Sequence, residues 1–223
     1  MPSETPVVPG HFLVARLEGI DFEGLFRSPD FDFHRPFDAR FAKMMVRTAS
    51  HLLGGDACGK YAFTEHSEIS VLLERRVVAA RWREASELQC FLVALASTKM
   101  SLQVEGEAIF GCRLYAFPTP DLVVAYFLWR QQEANLRALD SYCSFVLSRD
   151  HTPPEKVAKL LEGLGPREKE EVLRQNDIEY THVPPWQRSG AAVRLTDNGS
   201  RVAVEANLPS DAEYAPYLQQ YLE

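Results

Sequence analysis

The stretch that most constrains how this chain can fold is FLVARLEGIDF, residues 12–22. Its β-branched, aliphatic and aromatic residues predict a buried strand over residues 12–17, which runs directly into Glu18 and Gly19. A carboxylate at a strand end, followed by glycine, can help to hold a divalent cation and the phosphates that it carries. An ordinary strand that ends in an acidic turn has the same pattern, so a second motif is needed to predict a site.

Residues 61–74 supply that second motif, because polar residues interrupt the middle of a run otherwise suited to burial. We expect one continuous strand here, with side chains that alternate between the two faces. Glu65 and Ser67 would then share one face, and His66 and Glu68 the other.

The rest of the chain predicts further helices and strands. Helices are expected over residues 36–53, 84–100, 122–147, from about 152 to 163 and from 166 to 175, and an irregular loop over residues 21–36. Strands are expected over residues 110–117, 191–195 and 201–205, the last two joined by the turn DNGS at 197–200. A strand-helix-strand-strand-helix order in the first 150 residues is typical of a ferredoxin-like or polymerase-palm sheet.

The charge balance bears on binding to nucleic acid. The net charge is −7, with 24 basic against 31 acidic residues, which disfavours affinity based on phosphate neutralisation. RNA binding would therefore need a local basic patch, and the sequence offers one candidate: Arg75, Arg76, Arg81 and Arg83. A solvated helix face would have the same pattern.

The sequence contains no run of 18 apolar residues, so we expect no membrane span. Its first residues lack the basic and apolar regions of a signal peptide. The four cysteines (Cys58, Cys90, Cys112 and Cys143) are widely spaced, without a Cys-x-x-Cys pair. We therefore expect reduced thiols in a cytoplasmic protein.

Five segments resemble signatures of the tRNA-histidine guanylyltransferase family and its 3′-to-5′ polymerase relatives. They are residues 16–22 (RLEGIDF), 35–41 (RPFDARF), 66–70 (HSEIS), 126–134 (YFLWRQQEA) and 184–190 (PPWQRSG). The segments follow the family's order and cover roughly residues 12–193.

The resemblance implies an α+β fold with a polymerase-palm-like antiparallel sheet and helices on one face. The predicted elements divide the chain into a palm-like catalytic domain, residues 1–149, and a C-terminal helical lobe with a hairpin, residues 150–223. The resemblance implies addition of a nucleotide to the 5′ end of tRNA, with ATP or GTP as substrate, two Mg²⁺ ions, and assembly as a homotetramer or homodimer.

The resemblance assigns metal binding to Glu18, the Gly19 carbonyl and Glu68, and catalysis to Glu18, Glu68 and Ser67. The family has aspartate at the positions of Glu18 and Ser67. Glu18 keeps the charge on a longer side chain, whereas the neutral Ser67 cannot bridge two dications. Glu65 is a candidate to compensate.

Further positions match the family's contacts with the nucleotide. The triphosphate would bind backbone amides at Ile20, Asp21, Phe22 and Glu23, and His34 and Asp38 would lie near the base. His66 and Glu87 take the places of a serine and a lysine, and Gly111 takes the place of an acid. Glu87 would repel a triphosphate.

Trp129, Arg130 and Lys169 match positions that face RNA, while Arg137 stands where the family has asparagine. Core packing is the alternative for Trp129, and an ion pair with Glu133 or Asp140 the alternative for Arg130. Two hypotheses for the whole chain stay open: an active 5′-end nucleotidyltransferase, or a diverged member that binds RNA or nucleotide without catalysis.

Overall fold

The computed structural model describes residues 6–27, 31–149, 152–196 and 201–222. Six strands form one antiparallel sheet in the order β4-β1-β3-β2-β5-β6. They are β1 Phe12–Ile20, β2 Gly59–Glu65, β3 Glu68–Leu73, β4 Ile109–Phe117, β5 Ala191–Leu195 and β6 Val202–Glu205. The predicted α+β class and antiparallel sheet are confirmed.

The α-helices lie between and after these strands. They are α1 Phe22–Arg27, α2 Ala39–His51, α3 Arg75–Arg81, α4 Ala85–Val104, α5 Pro120–Leu147, α6 Pro154–Leu161, α7 Pro166–Arg174, α8 Pro185–Ser189 and α9 Tyr214–Gln219. The predicted irregular loop at residues 21–36 thus begins with a short helix, α1. None of the described helices has the length and apolar character needed to cross a membrane.

Helices cover both faces of the sheet, so the prediction that they lie on one face is wrong. On one face α2 and α4 pack against Leu13 and Leu17 of β1, and on the other α5 and α9 pack against Val14. Because alternate side chains of β1 enter different cores, the strand is apolar along most of its length.

Residues 61–74 form two strands instead of the single strand predicted. β2 ends at Glu65, His66 and Ser67 make a tight turn, and β3 begins at Glu68. His66 adopts a φ of +46°. The turn lacks the Asn-Gly or Asp-Gly pair that commonly marks a two-residue hairpin loop, so the sequence pattern did not reveal it.

The C-terminal segment contributes to the same sheet as the first half of the chain. β5 pairs with β2, and β6 pairs with β5, so the terminal hairpin extends the central sheet. Helices α6 and α7 pack instead near the C-terminal half of α5. The predicted boundary between residues 149 and 150 stays a prediction, and residues 150, 151 and 197–200 lie outside the described ranges.

Candidate active site

Three carboxylates form a row at one end of the sheet. Glu18 of β1 is the cross-strand neighbour of Glu68 of β3, which in turn is the neighbour of Glu65 of β2. Residues directly opposite each other on adjacent strands project to the same face. The expected approach of Glu18 and Glu68 is confirmed, whereas the expected placement of Glu65 and Glu68 on opposite faces is wrong, because the chain turns between them.

Arginines from β1 and α5 surround this row. Arg16 Nε donates a hydrogen bond to Glu68 Oε2 at 2.8 Å. Arg130 Nη2 donates to Glu65 Oε1 at 2.8 Å and to Glu68 Oε2 at 2.7 Å. Arg137 Nη1 donates to Glu65 Oε1 at 3.0 Å and also to Glu68 Oε1. We call this group of side chains the arginine–glutamate cluster. Its members are Arg16, Glu18, Glu65, Glu68, Arg130 and Arg137.

The depth of the cluster affects the pKa of two of its carboxyl groups, those of Glu65 and Glu68. Arg130 is completely buried, and Glu65 and Glu68 are almost so. Burial raises the pKa of Glu65, and the charges of Arg137 and Arg130 offset part of that rise. Burial acts in the same direction on Glu68, but the hydrogen bond from Arg137 and the neighbouring guanidinium charges outweigh it, so the pKa of Glu68 is lowered. Paired guanidinium groups are what make such burial tolerable.

The residues predicted to hold magnesium do not fit a pair of dications. Both carboxylate oxygens of Glu68 already accept hydrogen bonds from arginines, and Glu18 Oε1 lies 2.9 Å from Arg16 Nε. Ser67 lies in the hairpin turn, where its carbonyl accepts a hydrogen bond from the Gly19 N–H at 2.9 Å. Within the described ranges, no group of three or more His, Cys, Asp or Glu side chains is arranged to hold a metal ion.

An apolar pocket adjoins the cluster on the side of α2. Glu65, His66 and Arg137 line it where it adjoins the cluster, and its other polar lining residues are Asp38, Thr64, Ser141 and Gln187. Its apolar lining comes from the loop before α2 and from α1, α2 and α8: Phe26, Phe33, Phe37, Phe41, Met45, Val46 and Trp186. Apolar walls with a few polar groups are typical of a site for a small organic ligand. The free volume of about 50 Å³, however, is well below the ~300–1,000 Å³ of such sites, so a nucleotide must widen the pocket.

Asp38 lines this pocket, but its oxygens are already engaged. Oδ1 accepts hydrogen bonds from the backbone N–H groups of Arg40 and Phe41, at 2.7 and 3.1 Å. Oδ2 accepts from the His34 N–H at 3.0 Å and from Arg40 Nη2 at 2.8 Å. Asp38 is thus the N-cap of α2. The predicted base contacts of His34 and Asp38 stay predictions.

The residues predicted to bind the triphosphate form the turn from β1 into α1. Ile20 ends the strand, and Asp21 adopts a φ of +54°. The Phe22 ring is buried against Phe110, with 5.1 Å between the ring centroids, so Phe22 can offer a ligand only its backbone. The role of this turn stays a prediction.

The arginines predicted as a basic patch lie away from the cluster, beyond the end of β3 opposite to Glu68. Arg75 lies over the ring of Phe12, at 4.1 Å from its centroid, and Arg81 pairs with Asp56 at 2.7 Å. Of the four predicted arginines (Arg75, Arg76, Arg81 and Arg83), Arg75 and Arg81 thus make contacts within the protein.

Trp129 and Arg130 lie at the cluster. Trp129 is 43% exposed, so core packing does not explain it, and its ring contacts the guanidinium groups of Arg16 and Arg130 at 5.7 and 5.2 Å. Arg130 forms the expected kind of buried ion pair, but with Glu65 and Glu68 as its partners. Lys169 lies apart, paired with Asp140 at 2.5 Å.

Arg16 was not identified as a site residue from the sequence, and Arg137 was noted only as a departure from the family. Two sequence spacings could have indicated that these arginines belong to the site. Arg16 precedes Glu18 by two residues on a strand, and Arg137 follows Arg130 by seven on a helix, so each pair shares a face.

The fold and this site together define an α+β protein of the polymerase-palm type, with carboxylates at the ends of neighbouring central strands. A family model described as "Thg1: tRNAHis guanylyltransferase" matches residues 2–118. The chain therefore belongs to the tRNA-His guanylyltransferase family, and the predicted resemblance is confirmed.

Similar proteins agree with this assignment. The chain is 24% identical over 199 residues to tRNA(His) guanylyltransferase 2 of Arabidopsis thaliana, a match over 85% of this chain and 37% of that protein's length. It is 23% identical over 191 residues to tRNA(His) guanylyltransferase of Debaryomyces hansenii, over 80% of this chain and 71% of the relative.

Two solved structures share the fold. A bacterial tRNA(His) guanylyltransferase-like protein in complex with ATP aligns with a TM-score of 0.81 at 20% identity, over 98% of this chain and 93% of the other. The Saccharomyces cerevisiae enzyme aligns with a TM-score of 0.78 at 20% identity, over 92% and 93%.

Proposed function

We propose that this protein binds ATP or GTP and adds a nucleotide at the 5′ end of a tRNA. Family membership and the names of the relatives support the reaction, and similar bacterial structures in complex with ATP and with GTP support the choice of nucleotide. Assembly as a homotetramer or homodimer and a cytoplasmic location stay predictions.

The observation that carries this proposal is the apolar pocket beside the row of carboxylates. Aromatic side chains such as Phe41 and Trp186 offer flat apolar surface for a nucleobase. Arg137 and His66 line the pocket beside the cluster and offer N–H donors to the phosphates of a nucleotide. A nucleotide bound in this pocket would lie beside the end of the sheet at which Glu18 and Glu68 meet.

A second candidate function is binding of nucleotide and RNA without nucleotidyl transfer. It is favoured by the saturated carboxylate of Glu68, which leaves no free acceptor for a metal ion, and by the neutral Ser67, which lacks the charge of a bridging ligand. Both functions use the same pocket, so they differ only in whether a longer RNA is formed.

One experiment separates the two functions. The protein is incubated with 5′-labelled tRNA, each nucleoside triphosphate, and Mg²⁺ or Mn²⁺, and the RNA is resolved on a denaturing gel. A product one nucleotide longer supports transfer. A rise in melting temperature with ATP or GTP, without a longer product, supports binding alone.

A pocket-filling variant provides the control. Ala42→Trp places an indole in the pocket from α2, while Ala158→Trp makes the same change at an exposed position of α6. We expect Ala42→Trp to abolish the nucleotide-dependent rise in melting temperature and Ala158→Trp to retain it. An equal rise in both variants would place the nucleotide elsewhere and contradict the proposal.

A further inference from the structure

We propose that guanidinium groups replace a divalent cation in this protein, so that the end of the sheet binds no metal and the phosphates of a nucleotide meet Arg137 instead. The first half, that no metal binds, concerns the arginine–glutamate cluster alone. The second half, that phosphates contact Arg137, rests on the proposed nucleotide binding.

The first support is the saturation of Glu68. An ionised carboxylate has about four acceptor sites on its two oxygens. Oε2 lies 2.8 Å from both Nε and Nη2 of Arg16 and 2.7 Å from Nη2 of Arg130, while Oε1 accepts from Arg137. A metal ion could bind Glu68 only by displacing these donors.

The second support is charge. Compared with the family pattern, Ser67 in place of aspartate removes one negative charge, and Arg137 in place of asparagine adds one positive charge. The two changes together equal the charge of one divalent cation. Three arginines then face three glutamates in the cluster, so the carboxylate charge is already balanced and an added dication would gain no net attraction there.

The third support is the position of Arg137. Arg130 is completely buried, but the side chain of Arg137 is 40% exposed and lines the pocket. Arg137 can therefore keep its contacts with Glu65 and Glu68 and still present further N–H donors to an anion in the pocket. A fixed guanidinium binds phosphate oxygens well through such donors.

Metal binding is tested first, with Mn²⁺ alone and electron paramagnetic resonance. We expect the parent protein to leave the signal of free Mn²⁺ unchanged and the double variant S67D/R137N to reduce it. Arg174→Asn, which removes an exposed arginine of α7, is the matched control and should behave as the parent. Circular dichroism confirms that each variant is folded.

Two results would overturn the replacement of the cation. One is binding of Mn²⁺ by the parent that Glu68→Gln abolishes. The other is a folded S67D/R137N variant that binds no Mn²⁺, since these two positions would then not be what excludes the metal.

The role of Arg137 is tested by the rise in melting temperature with ATP, measured in EDTA and in Mg²⁺. We expect the parent protein to show the same rise in EDTA as in Mg²⁺. In Arg137→Met we expect ATP to bind about tenfold more weakly, which is the scale of one charge-assisted hydrogen bond. A rise that requires Mg²⁺ overturns the inference. No rise in either buffer refutes the proposed nucleotide binding, while the Mn²⁺ result still decides the first half.

Discussion

At the scale of single residues, Asp38 shows how one buried carboxylate holds part of the pocket lining in place. It caps α2 and ties the preceding loop to that helix through His34 and Arg40. Burial acts to raise the pKa of Asp38, but the hydrogen bonds from the Arg40 side chain and from backbone N–H groups dominate and hold that pKa well below its usual range.

We predict that Asp38→Ala lowers the free energy of unfolding by about 2 kcal/mol at pH 7, because helix α2 loses its cap. Asp38→Asn keeps an acceptor and should cost about half of that. Urea denaturation measures both values.

The same residue predicts a dependence on pH. A carboxylate whose pKa is lowered by folding stabilises the protein above its unfolded pKa of about 4, and this contribution is lost as the pH falls through the folded pKa. The difference in unfolding free energy between the parent and Asp38→Asn should therefore shrink from pH 7 to pH 3. A difference that stays constant would show that the charge of Asp38 adds nothing.

At the scale of secondary-structure elements, the turn between β2 and β3 defines the site. It places Glu65 directly opposite Glu68, so both carboxylates face α5. An alternating polar pattern over residues 61–74 is compatible with one strand or with two. The contacts with Arg130, 62 residues beyond Glu68, suit only the folded-back arrangement.

The entry into β5 also depends on a single position. Gly190 has a φ of +73°, and an added Cβ would lie 2.6 Å from the Phe63 ring and 2.8 Å from the Thr64 carbonyl oxygen. Gly163 has a similar φ of +79°, but nothing lies within 4 Å of an added Cβ. A substitution at Gly163 therefore tests backbone strain alone, whereas a substitution at Gly190 adds a steric conflict to the strain.

We predict that Gly163→Ala lowers the free energy of unfolding by about 1 kcal/mol, from the left-handed backbone alone. Gly190→Ala should cost about 2 kcal/mol more, because β5 must move away from β2. Urea denaturation of the pair gives the comparison. Equal losses would mean that the contact with Phe63 and Thr64 relaxes freely.

At the scale of the whole molecule, the C-terminal segment completes the core. Tyr214 of α9 and Tyr61 of β2 are both fully buried, and their hydroxyl oxygens lie 2.8 Å apart. The Tyr221 ring stacks on Tyr61, with 5.1 Å between the ring centroids. The last part of the chain thus covers, together with α5, the same face of the sheet.

A double-mutant cycle tests this link. Tyr61→Phe or Tyr214→Phe alone leaves one buried hydroxyl without its partner and should lower the free energy of unfolding by about 1–3 kcal/mol. The double variant should lose clearly less than the sum of the two, since no hydroxyl is then left unpaired. Additive losses would show that the two hydroxyl groups do not depend on each other.

The sequence by itself determined the family, the antiparallel sheet and the approach of Glu18 to Glu68. These features follow from short-range patterns: apolar alternation, helix caps and motifs whose order survives substitution. The sequence pattern did not reveal that α5 and α9 cover the second face of the sheet.

Only the tertiary structure decided what the carboxylates bind. Glu68 meets Arg130 and Arg137, which lie 62 and 69 residues further along the chain, and no local pattern pairs residues so far apart. The pairing arises because a buried charge must find an opposite charge within reach, and packing of α5 on the sheet selects the two arginines that can supply it.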